Sequence, residues 1–369
     1  MPLTPKKILL SGMTAVGVVA MLAGCGAAPK SATPASGGGA SSSTSATANF
    51  LPCVVGDVGG FNDHSFNQLS LQGVQEAAQA LGTKPAKKIQ SQSSSDYAPA
   101  FSSLVAQKCN IIVAAGFQFP KALGASAQAN PKIDYAMIDD NSLKLPNVKD
   151  IVFETDEAAF LGGYAAAAYS KSGVVATWGG AKYPTVTIYM DGIADGVKYF
   201  NQQKHKNVKL LGWDEASQNG SFVGGFTDQN KAKQLTQGFL DQKADVIIPV
   251  AGSLYQGAAA AITGSKSNAV LEGVDADLYL TDPKYKSLIL TSILKKVDVA
   301  AKDVVEQAAK GQFDNTTYIG DLKNGGVGLS PFHDFASKVQ SGLQSELDAV
   351  KAGILDGSIK VESPASLKK

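Results

Sequence analysis

Carboxylates and aromatic rings gather at a few points of this chain, in a pattern suited to holding a ligand. In GDVGGFNDHSFNQ, Gly56 to Gln68, Asp57 follows an apolar run, and Gly59 and Gly60 permit a tight turn. Phe66 and Asn67 then open a predicted helix, with Ser65 as its expected cap. A ring and an amide at a helix start suit a flat, hydrogen-bonding ligand: Phe66 offers a π-face, and Asn67 both donates and accepts. Phe66 is equally placed to staple the helix to its strand. Asp275, in GVDADLYL, closes another apolar run. It is positioned either to accept from the vicinal hydroxyls of a sugar or simply to close a turn. Lys295, in LTSILKK, is a further donor, or else solvated surface.

Reactive groups are not arranged in the same way. His64, His205 and His333 are far apart in sequence and have no partner at metal or triad spacing. The G-x-S-x-G and H-E-x-x-H patterns are missing. TGSKS at 263–267 imitates the end of a phosphate loop, but Ala259 stands where its first glycine should be. GGYAAAA reads as close helix packing, because the dinucleotide-binding glycine spacing fails. The expectation is a binding protein, not an enzyme, with no cofactor and no metal. The chain has 33 basic and 32 acidic residues, two of the former (Lys6 and Lys7) in a segment expected to be removed. That balance gives no electrostatic reason to propose nucleic acid as a partner.

The elements that must position these residues alternate. Ten short apolar or β-branched runs, from FLPCVVGD to LILTSIL, are separated by helical stretches such as SFNQLSLQGVQEAAQALG and TVTIYMDGIADGVKYFNQQ. Regular βα alternation implies parallel sheets covered by helices on both faces. Ten strands are too many for one comfortable sheet, and the pattern restarts near SGVVATWGGAKYP, so two similar lobes are expected. In open parallel sheets ligands sit beyond the carboxyl ends of the strands. The residues closing the predicted strands are Asp57, Gly116 with Phe117, Asp139, Gly179 with Gly180, Trp213, Gly252 and Asp275.

The N-terminus reads as an export signal: MPLTPKK is positive, ILLSGMTAVGVVAMLAG is uncharged and apolar, and a cysteine follows. LAGC, Leu22 to Cys25, is similar to the lipobox of bacterial lipoproteins, which predicts a leader over 1–24 and a lipid on Cys25. The small and polar residues after it, to position 49, form a tether with nothing to bury. Cys53 and Cys109 precede apolar runs; if those are neighbouring strands, the two can form a disulfide, the alternative being two buried thiols.

Taken together these segments resemble the basic membrane protein family of bacterial substrate-binding lipoproteins, which includes purine nucleoside receptors of ABC transporters. The resemblance runs from Phe50 to about Gly357 and rests first on GDVGGFNDHSFNQ. GFQFPKALGASAQANPKIDYAMIDD, VFETDEAAFLGGYAAAAYSKSG, GVDAD and LTSILKKVD follow in the family's order. It implies an α/β type I periplasmic-binding-protein fold, two doubly wound lobes closing on a ligand that is delivered to a membrane permease. The lobes implied are 50–158 with about 277–315, and 159–276 with about 316–362. Phe66 looks like one ring of a base sandwich, with Asp57, Asn67, Phe117 and Asp139 on the same lobe. Gly252, Asp275 and Lys295 look like the ribose side. The family's F-x-D motif selects Phe226 for the second ring, but SFVGGFTD is longer than usual and leaves Phe222 as a rival, with Trp178 and Trp213 near the same strand ends. The resemblance further implies a monomer on the outer face of the cytoplasmic membrane or in the periplasm. A ligand-sensing or adhesion role, or another flat ligand such as riboflavin, is the alternative it leaves open.

Overall fold

The computed structural model describes residues 47–367; the leader, Cys25 and nearly all of the tether lie outside them. Each predicted run becomes a strand; the central ones are apolar throughout because parallel strands covered on both faces must be, whereas the edge strand KKIQ is mostly exposed. In chain order these are β1 (Pro52–Gly56), β2 (Lys87–Gln90), β3 (Ile111–Ala115), β4 (Asp134–Ile138), β5 (Val148–Phe153), β6 (Val174–Gly179) and β7 (Lys209–Leu211). A small hairpin, β8 (Trp213–Asp214) and β9 (Asn219–Gly220), precedes β10 (Val246–Val250), β11 (Val270–Asp275), β12 (Ile289–Lys295), β13 (Tyr318–Gly320) and β14 (Val327–Leu329). Two six-stranded sheets result, ordered β2-β1-β3-β4-β5-β13 and β7-β6-β10-β11-β12-β14. Both reverse direction of winding beside their first strand, between β1 and β3 and between β6 and β10, and such points open the crevice in which ligands bind.

The lobe boundaries differ from those the sequence implies. Segment 277–315 was expected in the first lobe, yet β12 pairs with β11 and β14 in the second sheet. Segment 316–362 was expected in the second, yet β13 pairs with β5 in the first. Among the described residues the chain crosses between lobes three times: after β5, after β12 and between β13 and β14. The helix Val297–Ala309 lies back on the first-lobe helix Phe66–Leu81, where a side chain at Gly73 would meet the Asp298 carbonyl. Strands of three residues are too short to show the alternation by which strands are recognised.

A disulfide joins Cys53 and Cys109, at the starts of neighbouring strands in the first sheet. In the second lobe GGYAAAA does pack closely. The helices Thr155–Tyr169 and Pro184–Lys204 touch backbone to backbone, so a Cβ on Gly163 would sit 2.2 Å from the Ile193 carbonyl oxygen and one on Gly196 2.1 Å from that of Phe160. A Gly163→Val chain is expected to lose at least about 1–3 kcal/mol, the usual cost of overpacking. Thermal unfolding would show it as a melting point lowered by several degrees.

Candidate ligand-binding site

The helix Phe66–Leu81 begins immediately after the β1 loop; Ser65 holds the N-cap position, but its side chain makes no capping bond, and Asp63 supplies the capping carboxylate instead. Asp63 accepts from the backbone N–H groups of Ser65, Asn67 and Gln68, at 3.0, 2.8 and 3.0 Å. Its carboxylate therefore satisfies the free donors of the first turn and complements the helix dipole. Burial pushes its pKa up to about 6, against the downward pull of those donors. Ser65 turns elsewhere: its hydroxyl donates to Asp275 Oδ2 at 2.8 Å and to the Val274 carbonyl at 3.1 Å. Nothing in the sequence distinguishes Asp63 as the cap except its position three residues before the helix.

Asp57, at the end of β1, accepts from Gly59 N at 2.8 Å and from Asn67 Nδ2 at 2.9 Å through one oxygen. Its other oxygen faces Gly116, where any Cβ would crowd it at 3.1 Å. Burial raises the Asp57 pKa, opposed by the Gly59 and Asn67 bonds. Asp139 follows β4 and Asp275 ends β11, both with left-handed backbone, φ 72° and 65°. That conformation costs an ordinary residue energy, and Asp is among the few that tolerate it. Here it presents both carboxylates at strand ends.

The two lobes meet through these groups. Lys295, on β12, reaches Asp139 Oδ2 at 2.5 Å with both side chains buried, and its ammonium also lies 5.0 Å from the centre of the Phe66 ring. Burial pushes the Asp139 carboxyl upward, while the adjacent Lys295 draws it back. Asp275 accepts from Ser65 of the opposite lobe and from the Tyr189 hydroxyl at 2.8 Å. Tyr189 is held well above its ordinary pKa by burial and by the Asp275 charge, so it stays a donor. Phe117 lies 4.3 Å from the Tyr183 ring and 6.2 Å from that of Phe226. The lobes are thus closed over a cleft of about 610 Å³, its open mouth included, in the range of small-molecule sites.

Of the ten residues expected from sequence to touch a ligand, nine line this cleft: Asp57, Phe66, Asn67, Phe117, Asp139, Phe226, Gly252, Asp275 and Lys295. Phe222 does not. It pairs with Gly179 beside β6 and packs edge-on against Trp213 at 6.0 Å, leaving Phe226, which lies over Gly180, as the ring at the cleft. Trp178 is completely buried in the second lobe, and Trp213 is held in the core by an Nε1 bond to Asp191 at 2.9 Å. Neither adds surface to the site. Sequence reading missed Asp63, Thr185, Val186, Tyr189 and Ser253, which also line it. Thr185, Val186 and Tyr189 lie on a helix, and a search confined to strand ends passes over them.

Among the described residues no helix is long and apolar enough to cross a membrane. The family model for ABC transporter substrate-binding proteins of the PnrA-like kind (Bmp) matches residues 51–364. The ABC transporter nucleoside-binding protein BmpA of Lactococcus lactis subsp. cremoris is 28% identical, over 97% of this chain and 99% of that protein. A lipoprotein of Pyrococcus furiosus is 31% identical over 78% of this chain and 73% of its own. A solved ABC transporter solute-binding protein from Aeropyrum pernix superposes with a TM-score of 0.73 at 25% identity, covering 86% of this chain and 94% of that one.

Proposed function

The chain belongs to the Bmp family of PnrA-like ABC transporter substrate-binding proteins, and from that premise we propose that its own ligand is a nucleoside, a purine nucleoside first. The observation that carries this reading is one cleft lined by a phenylalanine from each lobe, Phe66 and Phe226, together with carboxylates from both. A base inserted between two rings gains about 1–3 kcal/mol per stacked face. Asn67 and Asp57 suit the base edge, since one amide and one carboxylate supply both donors and acceptors. Asp275 and Lys295 suit the ribose. Each oxygen of Asp275 already accepts one bond but retains a second lone pair for a sugar hydroxyl.

The charge of the cleft argues for an uncharged ligand. Asp57, Asp63, Asp139 and Asp275 line it, and Lys295 is engaged by Asp139. A phosphate would meet several carboxylates at close range, so nucleosides fit and nucleotides do not. In this reading the protein hangs from a lipid on Cys25 outside the cytoplasmic membrane, as a monomer, and passes its ligand to an ABC permease when the lobes are closed.

The test is thermal unfolding with adenosine, guanosine, inosine, the free bases and adenosine monophosphate. A ligand that binds only the folded state, present at 100 times its Kd, stabilises it by about 2.7 kcal/mol. The nucleosides are expected to raise the melting point, the bases less, the nucleotide not at all. Failure of every nucleoside, with none released on denaturing the purified protein, overturns the reading.

A further inference from the structure

The cleft does not end at the Asp139–Lys295 pair. Beyond it lies a second chamber of about 840 Å³, its mouth included, that shares Phe117, Asp139, Thr185 and Lys295 with the first. Its remaining walls are largely apolar, with Val152, Phe153, Tyr183 and Ile188 among them. Thr155, at the same wall, carries a buried hydroxyl with no hydrogen-bond partner among the described residues. Asp140 adds a second carboxylate beside Asp139.

One wall comes from the far end of the chain. After the helix Leu343–Asp356, the tail runs back over the second lobe and brings Ala365 and Leu367 to the chamber. It is fastened at several points. Ser363 Oγ donates to the fully buried Asp191 at 2.6 Å. Ser366 Oγ and Leu367 N donate to Glu154 Oε2 at 2.9 and 3.2 Å. Glu154 sits where the chain first crosses between lobes, so the tail closes the chamber at the hinge.

We propose that this chamber is a subsite for an uncharged, partly apolar substituent on the sugar side of the ligand. The proposal rests on the nucleoside reading, which puts the sugar at Asp275 and Lys295, the side that continues into the chamber. Its rings and aliphatic side chains favour apolar groups by burial, about fourfold in affinity per methylene. Asp139 and Asp140 reject an anion, and Lys295 is already paired and supplies no free cation. The class of ligand is therefore a nucleoside extended at its 5′ carbon by a neutral thioether or alkyl group.

Calorimetric titration of the full chain with adenosine, 5′-benzylthio-5′-deoxyadenosine and N6-benzyladenosine tests this. The 5′-extended probe is expected to bind at least as tightly as adenosine, and the N6-extended one about tenfold more weakly. Ala365→Trp, which fills the chamber from the tail, should weaken the 5′ probe about tenfold and adenosine less than about threefold. Leu367→Trp is a second route to the same filling if the first variant does not fold. Adenosine binding with a 5′ probe about tenfold weaker in the parent chain overturns the chamber and leaves the nucleoside reading intact. Equal losses for both ligands in the tail variants do the same. Absence of adenosine binding overturns both.

Discussion

A Phe66→Ala chain is expected to bind adenosine about tenfold or more weakly than its parent, because one stacked face is worth about 1–3 kcal/mol. The ring stands at the first helical position, lines the cleft and lies under the Lys295 ammonium. It is also half-buried against the core, so part of its role is packing. The two roles separate with Phe66→Leu, which retains apolar volume at that position but has no π-face. If Phe66 stacks on a base, Leu keeps the melting point close to that of the parent while affinity stays low. If Phe66 only staples the helix, Leu restores both, and the base must be placed elsewhere. Titration calorimetry and thermal unfolding of the three chains decide between these results.

Much of this site was legible because strand ends carry a recognisable signature. An apolar run that stops at Asp or Gly locates a carboxyl end, and topology makes those ends converge; Asp57, Asp139, Gly252 and Asp275 were found that way. What sequence could not give was each side chain's partner. Ser65 has the composition of a cap and precedes the helix, yet Asp63 takes the backbone donors and Ser65 reaches across to Asp275. A cap and a cross-lobe contact look identical in one dimension. Phe222 and Phe226 are likewise equivalent until Phe222 pairs beside Gly179 and its ring turns to Trp213. The hinge crossings were misassigned for a different reason: β12 joins the second sheet and β13 the first, and the partner of a strand that returns from far along the chain is not written in its own residues.

Lys295→Met should produce the largest change of any single substitution in the cleft. The pair it breaks is buried on both sides, Lys295 at 3% and Asp139 at 8% side-chain exposure, with 2.5 Å between charges. Taking one partner from a buried pair costs about 3–5 kcal/mol, since the remaining charge has lost both water and counter-ion. Asp139 would then take up a proton at pH values where it is now ionised, for burial already pushes it upward and only Lys295 draws it back. Because Lys295 comes from the second lobe and Asp139 from the first, the same change removes a bond that holds the lobes together. Ligand affinity and melting point should fall together. Adding Asp139→Asn to that chain removes the stranded charge, and replacing a buried pair by neutral groups is often close to neutral for stability. The double variant is therefore expected to regain most of the lost melting point while still binding adenosine weakly, because the sugar-side ammonium is gone. A double variant no more stable than Lys295→Met alone would mean that Lys295 stabilises chiefly through its contacts with the Phe66 and Phe153 rings, at 5.0 and 5.3 Å, and not by neutralising Asp139.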